Sequence, residues 1–406
     1  MLQRTMFRRP MFEKPVLLLT VAMSLVVILT VQPVRAGVTD VAINTDYNLI
    51  FVPVELAGAT RWMVMDTGAP YTVVEYDVVA ALGVEVHDLQ TLEQPGGSVT
   101  IGTVGAFEFQ VGGLPVELNE VRAAQMQKVG LNGIMGKDLL GILGFDFIDQ
   151  FTIEVDYQDA TMRLFDAEEY AYRGSGRIVP LAIDGTRPLV EGTVRNGGAD
   201  VHGTFLVDTG SLMFLGLQEA FVQDHGIDRD EGILDSVGIG FGGMTPAKIL
   251  KVDGFDAGGF SFADCLSGYT ADEVLASFPF DGVVGGEFLR RFDLVIDYRR
   301  SRLILEPNLS LHEPVLGDRT GLMLMARGED FETIEIIFVH PTSPAAAAGL
   351  RAGDELVSIN GMAASRITLP AIWSAFRRGE GLRFDLVIRR EGELLDRVIR
   401  LADYVP

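Results

Sequence analysis

The sequence predicts a mainly β protein in which two copies of one strand-rich lobe are followed by a smaller α+β module. Three observations carry this expectation. Of the 406 residues 48% are hydrophobic, charged residues form no long runs and glycine is abundant at 46, the composition of a globular, turn-rich chain. A stretch in the middle of the chain repeats itself. Beyond about residue 321 the pattern changes to one with helix-start and Asn-Gly turn signals.

The chain opens on a targeting layout. Arg4, Arg8, Arg9 and Lys14 precede an uncharged apolar run over residues 16–31, and Val34-Arg35-Ala36 follows. A basic start, a short apolar stretch and a small-x-small site describe a secretory signal peptide, and the run falls short of the roughly 18 residues of a membrane-spanning helix. Residues 1–36 are therefore expected to be removed after Ala36, leaving an exported protein, periplasmic or secreted. The alternative is an uncleaved anchor, the one way in which this chain would meet a membrane.

The repeat defines the lobes. Gly141-Ile142-Leu143-Gly144 through Leu164 aligns without a gap on Gly282-Val283-Val284-Gly285 through Leu305, with identities at Phe147/Phe288, Phe151/Phe292, Asp156/Asp297 and Tyr157/Tyr298. Within it the alternation of residues 151–155, the turn at Asp156-Tyr157 and the resumption at residues 162–165 predict a β-hairpin closing each copy. Upstream of each copy stands a second matched element, Val64-Met65-Asp66-Thr67-Gly68-Ala69 and Leu206-Val207-Asp208-Thr209-Gly210-Ser211. The unit is too long for a solenoid repeat and so indicates duplicated lobes, over residues 37–173 and 174–308 with a short connection at about 170–178. Glycine-rich stretches at 96–105 and 238–243 fall between the two motifs of each half; they are either flap hairpins over a cleft or ordinary tight turns.

Two Asp-Thr-Gly motifs, each led by two apolar residues and each followed at matching distance by an apolar-apolar-Gly element, are not a coincidence of composition. In this the chain resembles the aspartic protease superfamily, specifically bacterial members with two retropepsin-like lobes, over roughly residues 45–307. The resemblance implies two acid-protease β-barrel lobes and a catalytic pair, Asp66 and Asp208. Two carboxylates held close together do not both ionise cheaply, so the pair shares a proton, one member serving as base toward water and the other as acid toward the carbonyl oxygen; aspartic proteases are themselves the type case of this division of acid and base roles. Gly68 and Gly210 let the backbone turn beneath each carboxylate. By the resemblance, the hydroxyls of Thr67 and Thr209 cross to the opposite lobe and lock the two loops, and Ser211 supplies a hydroxyl to Asp208 where Ala69 offers Asp66 none. Neither glycine-rich stretch holds a tyrosine of the kind that closes the cleft in pepsin-like enzymes; Phe107 and Phe241 are the apolar substitutes, with burial in the core as their other reading.

Residues 343–361, Ser343-Pro344 through Gly349-Leu350, Gly353-Asp354 and Ile359-Asn360-Gly361, resemble the core of bacterial PDZ domains. A PDZ-like module over residues 315–406 is expected, with a short helix capped by Ser343, a strand over 356–359 and a second helix from Pro370 to Arg378. PDZ domains add an extended peptide, often a free C-terminus, as a strand beside a groove helix. Thr320-Gly321-Leu322 is the candidate carboxylate turn, with Gly321 and Leu322 as peptide-binding residues, although it departs from the usual Gly-Leu-Gly-Phe form.

Several classes are excluded. A formal net charge of −23 is unsuited to phosphate contacts, which rules out nucleic acid as a partner. The single cysteine, Cys265, forms no internal disulfide and reads as a small buried hydrophobe. The five histidines have no metal-ligand spacing, so no metal and no cofactor is expected, and water is the only co-reactant. The leading expectation is an aspartic-type endopeptidase acting on proteins or peptides, with the module docking substrate or regulating access; the competing one is a catalytically degenerate scaffold that works through its PDZ-like groove. If the signal peptide is read correctly, intact-mass measurement of exported protein gives a chain beginning at Gly37; recovery of the full-length chain from membranes alone would contradict it.

Overall fold

In a computed structural model, residues 39–127, 130–228, 232–270 and 273–405 are described; the apolar run and the cleavage position at Ala36 lie outside the described residues. Each half is organised around two parallel strands. Ala59–Met65 runs beside Leu139–Leu143, with Val64 opposite Ile142 and Met65 opposite Leu143. Ala199–Val207 runs beside Gly282–Val284, with Leu206 opposite Val283 and Val207 opposite Val284. Strands covered on both faces are apolar throughout rather than alternating, and Val64, Met65, Leu143, Leu206, Val207 and Val284 are all buried. A third strand lies antiparallel on the far side of each pair, Val73–Glu75 in the first half and Leu215–Gln218 in the second.

The glycine of each apolar-apolar-Gly element has a steric cause. A Cβ on Gly144 would collide with the backbone of Tyr71, and one on Gly285 with the backbone of Met213, so two main chains pass where only glycine fits.

The second half closes on itself. Gly243–Ala257, a single strand of 15 residues, runs from its hairpin down to pair with Arg187–Asn196, completing a ring. In the first half the corresponding path is broken at Gly105-Ala106 into Gly97–Val104 and Phe107–Val111, and the lower piece pairs with Phe51–Leu56. The expected pair of barrels is therefore one closed ring and one interrupted one.

The closing hairpins join the halves. Phe151–Asp156 with Thr161–Asp166, and Phe292–Asp297 with Arg302–Pro307, are antiparallel hairpins as the sequence suggests. Ile153 faces Ile296 and Val155 faces Leu294, so both hairpins belong to one six-stranded sheet, whose far edge is Arg177–Pro180. A continuous ladder between halves fixes their relative position through main-chain hydrogen bonds, with Ile153, Leu294 and Ile296 buried beneath it.

The C-terminal module has its own core and a sheet in the order Leu322–Arg327, Thr333–Val339, Glu355–Ile359, Arg383–Arg390, Glu393–Arg400. The Ser343 hydroxyl accepts from the Ala346 N–H and caps Pro344–Ala347, while Asn360-Gly361, both at positive φ, turn the chain after Ile359. The second helix spans Leu369–Phe376, with Pro370 in its first turn.

The module packs on both halves. Tyr47 meets Trp373 edge-on at 5.3 Å, Arg377 pairs with the buried Glu287 at 3.3 Å, and Lys251 donates to the Val405 carbonyl at 2.7 Å. These contacts tie the module to both halves. Removing residues 315–406 uncovers Tyr47 and Met135 and takes one cation from Glu287. Scanning calorimetry is expected to show a lower melting temperature for the two halves alone, and an unchanged transition would mean that the module is only tethered.

Candidate active site

Asp66 and Asp208 are the first residues beyond their central strands. Each N–H donates to the neighbouring parallel strand, Asp66 to Leu143 and Asp208 to Val284, both at 3.0 Å. The two loops are thereby held at the same height, and the carboxyls face each other within hydrogen-bonding reach, both half-buried.

Each carboxyl sits in a small cradle of N–H donors. Asp66 Oδ1 accepts from Gly68 at 2.8 Å and Ala69 at 3.1 Å. Asp208 Oδ1 accepts from Gly210 at 2.8 Å, with the Ser211 N–H also directed at this carboxyl. The motif glycines are required by the opposite acid: a Cβ on Gly68 would stand 3.0 Å from Asp208 Cγ, and one on Gly210 closer still to Asp66. A side chain at either position would push the carboxyls apart.

The threonines form a reciprocal lock across the halves. Thr67 Oγ1 donates to the Val207 carbonyl at 2.6 Å and accepts from the Thr209 N–H at 3.0 Å. Thr209 Oγ1 donates to the Met65 carbonyl at 2.7 Å and accepts from the Thr67 N–H at 3.1 Å. Both threonines are buried. Each hydroxyl thus engages the carbonyl just before the opposite aspartate, which is the crossing that the resemblance implied. Ser211 differs from its expected role. Its hydroxyl accepts from the Met213 N–H at 3.4 Å, and it serves Asp208 through its backbone N–H, because the tight turn after Gly210 brings the main chain there.

Burial raises both carboxyls above the ordinary carboxylate range. For Asp66, hydrogen bonds from Asp208 and from the N–H groups of Gly68 and Ala69 oppose it. For Asp208, burial is reinforced by the charge of Asp66 and by their mutual hydrogen bond, and its shift is the larger. Both carboxyls are thus disfavoured in the charged form, each by burial first.

Both glycine-rich stretches lie in hairpins. His87–Gln94 pairs with Gly97–Val104, and Leu234–Gly240 with Gly243–Ala257. Their tips touch, the Gly242 N–H donating to the Pro95 carbonyl at 2.8 Å. Phe241, in the second tip, packs on a buried cluster of Val99, Ile101, Met126 and Ile142, as do Val73 and Ala69, the residue whose N–H donates to Asp66. Phe107 lies in the strand below its hairpin, buried in the core, and is no cover.

One residue near the site escaped the sequence reading. Tyr298 is buried, stacks on Phe145 at 5.2 Å, and has its phenol held far above the ordinary range by burial first and then by the charges of Asp66 and Asp208. Its identity with Tyr157 in the repeat was the available signal. Cys265 is buried, and burial pushes its thiol up to about 12, so it is inert.

In the PDZ-like module Thr320-Gly321-Leu322 does lead into the edge strand, but its N–H groups are taken. The Asp318 carboxylate accepts from the Thr320 and Gly321 N–H groups and from the Thr320 hydroxyl, and the Leu322 N–H donates to Thr320 Oγ1 at 3.1 Å. Gly321 and Leu322 therefore do not present free donors to a peptide carboxylate, since an internal carboxylate already fills the turn.

Comparison with known families gives two partial matches. The chain carries an aspartyl protease domain, matched over residues 52–147. A PDZ domain is matched over residues 336–390. No curated protein matches the chain. The first match includes Asp66 and ends before Asp208.

Two tests follow. Thr67→Val or Thr209→Val removes one donor and one acceptor from the lock and leaves buried partners unpaired, a loss of about 1–3 kcal/mol per group, to be read by denaturant unfolding; a loss near zero would mean that the lock does not hold the halves. Because the Asp208 pKa is raised on folding, its stabilising contribution is present at acid pH and lost as pH rises through the folded value. Asp208→Asn should therefore melt higher than wild type at pH 7, the two converging below about pH 3; a lower melting temperature at pH 7 would contradict the shared proton.

Proposed function

We propose that this chain is an exported aspartic endopeptidase in which two tandem retropepsin-like lobes, of duplicated origin, build one catalytic site within a single chain. The observation that carries the proposal is the juxtaposition of Asp66 and Asp208 across the reciprocal Thr67–Thr209 lock. The matched geometry of the two halves supports the duplication: the same parallel pair, the same N–H cradle and the same closing hairpin occur in each.

In the proposed reaction Asp66, as the ionised member, takes a proton from water while that water attacks the scissile carbonyl. Asp208 hydrogen-bonds the developing oxyanion and delivers its proton there. The amine leaves after a further proton transfer, and no covalent enzyme intermediate forms. The substrate class is an extended peptide with an apolar residue against the Ile142–Met126–Phe241 wall, entering when the hairpin tips part. The degenerate-scaffold alternative is disfavoured by two features: both carboxyls keep their backbone donors, and the PDZ turn is occupied by Asp318.

Asp66→Asn and Asp208→Asn are each expected to abolish peptide cleavage, because either removes one member of a pair that works as a unit. Mixing the two inactive variants tests the single-chain assignment: activity stays absent if the site is intramolecular, and its return together with dimers in sedimentation would assign the site to two chains. In wild type, kcat/KM should fall as pH rises through the raised Asp208 value, since the acid is then lost; a rate independent of pH from 3 to 8 would exclude the dyad.

A further inference from the structure

The groove that a PDZ domain offers to a peptide, between its edge strand and its second helix, is filled here. Leu322–Arg327 pairs on one side only, with Thr333–Val339. Along its other edge lies the short helix Leu131–Met135 of the first protease half. The approach is backbone to backbone: a Cβ on Gly133 would stand 2.8 Å from the Ala326 carbonyl oxygen and 3.0 Å from Met325 Cγ. At the helix end, a Cβ on Gly136 would stand 3.0 Å from that of Leu369, where the groove helix begins. Glycine at both positions is what lets this segment enter. Tyr47 completes the filling against Trp373, and the cluster beneath includes Leu49, Phe51, Met135 and Leu139, with Trp62 and Leu131 packed on it.

Leu131 also packs on the second cluster, that of Ile142, Val99 and Met126, on which Phe241 and Ala69, the N–H donor to Asp66, pack as well. One side chain thus contributes both to the docked segment and to the apolar wall beside Asp66.

We propose that the PDZ groove is an internal socket whose occupant is the chain's own segment 130–136, and that this docking holds the cleft wall through Leu131. Apolar substrate binding and seating of the segment are then coupled, and an extended peptide reaches the groove only by displacing it. The coupling rests on the proteolytic reading of the cleft; the docking does not.

The chain's two tryptophans, Trp62 and Trp373, both pack in the docking cluster, so their emission reports it without any assay of activity. In the full mature chain, Gly133→Val is expected to shift that emission to the red, to bind a fluorescein-labelled extended Val-Ser hexapeptide at least tenfold more tightly than wild type, and to raise KM for an apolar peptide substrate several-fold with kcat within twofold. A second variant does not depend on Gly133→Val folding: Met135→Ala shortens a buried side chain of the docking cluster without adding bulk, and should shift the emission the same way and tighten hexapeptide binding several-fold. Wild-type emission and wild-type hexapeptide affinity from Met135→Ala, or wild-type emission from a Gly133→Val chain with a cooperative melt, overturns the docking. A red shift with unchanged KM overturns the coupling alone. If no variant, nor wild type, cleaves peptide, the protease reading fails while emission and hexapeptide binding still decide the docking.

Discussion

The site depends on the exchange of hydrogen bonds between Thr67 and Thr209. Each hydroxyl donates to the carbonyl that precedes the opposite aspartate and accepts from the opposite threonine N–H. Two carboxyls repel when ionised, and the loops that carry them come from different halves; the lock ties these loops together directly beside the carboxyls. The lock is buried, so its four bonds do not compete with water. Farther from the cleft, the ladder between Phe151–Asp156 and Phe292–Asp297 repeats the constraint at the level of the sheet.

Near-symmetry in the frame coexists with asymmetry around it. The cradles match in length at Gly68 and Gly210, and burial raises both carboxyls. The surroundings differ. Ala69 follows the first motif where Ser211 follows the second, and the first ring is interrupted at Gly105-Ala106 where the second runs on unbroken. Unequal environments are what the proposed acid and base roles require, since identical ones would leave the proton without a preferred site.

Much of this was legible in the sequence because it is written in local pattern. Asp-Thr-Gly after an apolar strand, the matched closing hairpins and the Ser343 cap are short-range signals, and each element is found where its signal lies. The strand-rich class followed from alternation and glycine content. What was not legible depends on long-range packing. Nothing near Gly133 indicates that its missing side chain admits Ala326, nearly two hundred residues away. Asp318 reads as an ordinary loop acid until its carboxylate is seen in the Thr320-Gly321 turn. Phe107 and Phe241 look alike in the sequence and part company only through register, one facing the core and the other at a hairpin tip.

The central claim is that Asp66 and Asp208 share one proton. Carbon-13 NMR of aspartate carboxyl carbons, titrated in the intact mature protein and assigned with single Asn variants, reads this directly. The account predicts two coupled steps, the upper one above the ordinary carboxylate range, and a collapse to a single step for the remaining carboxyl when either partner is Asn. Two independent titrations in the ordinary range, unaffected by the partner's replacement, would contradict it.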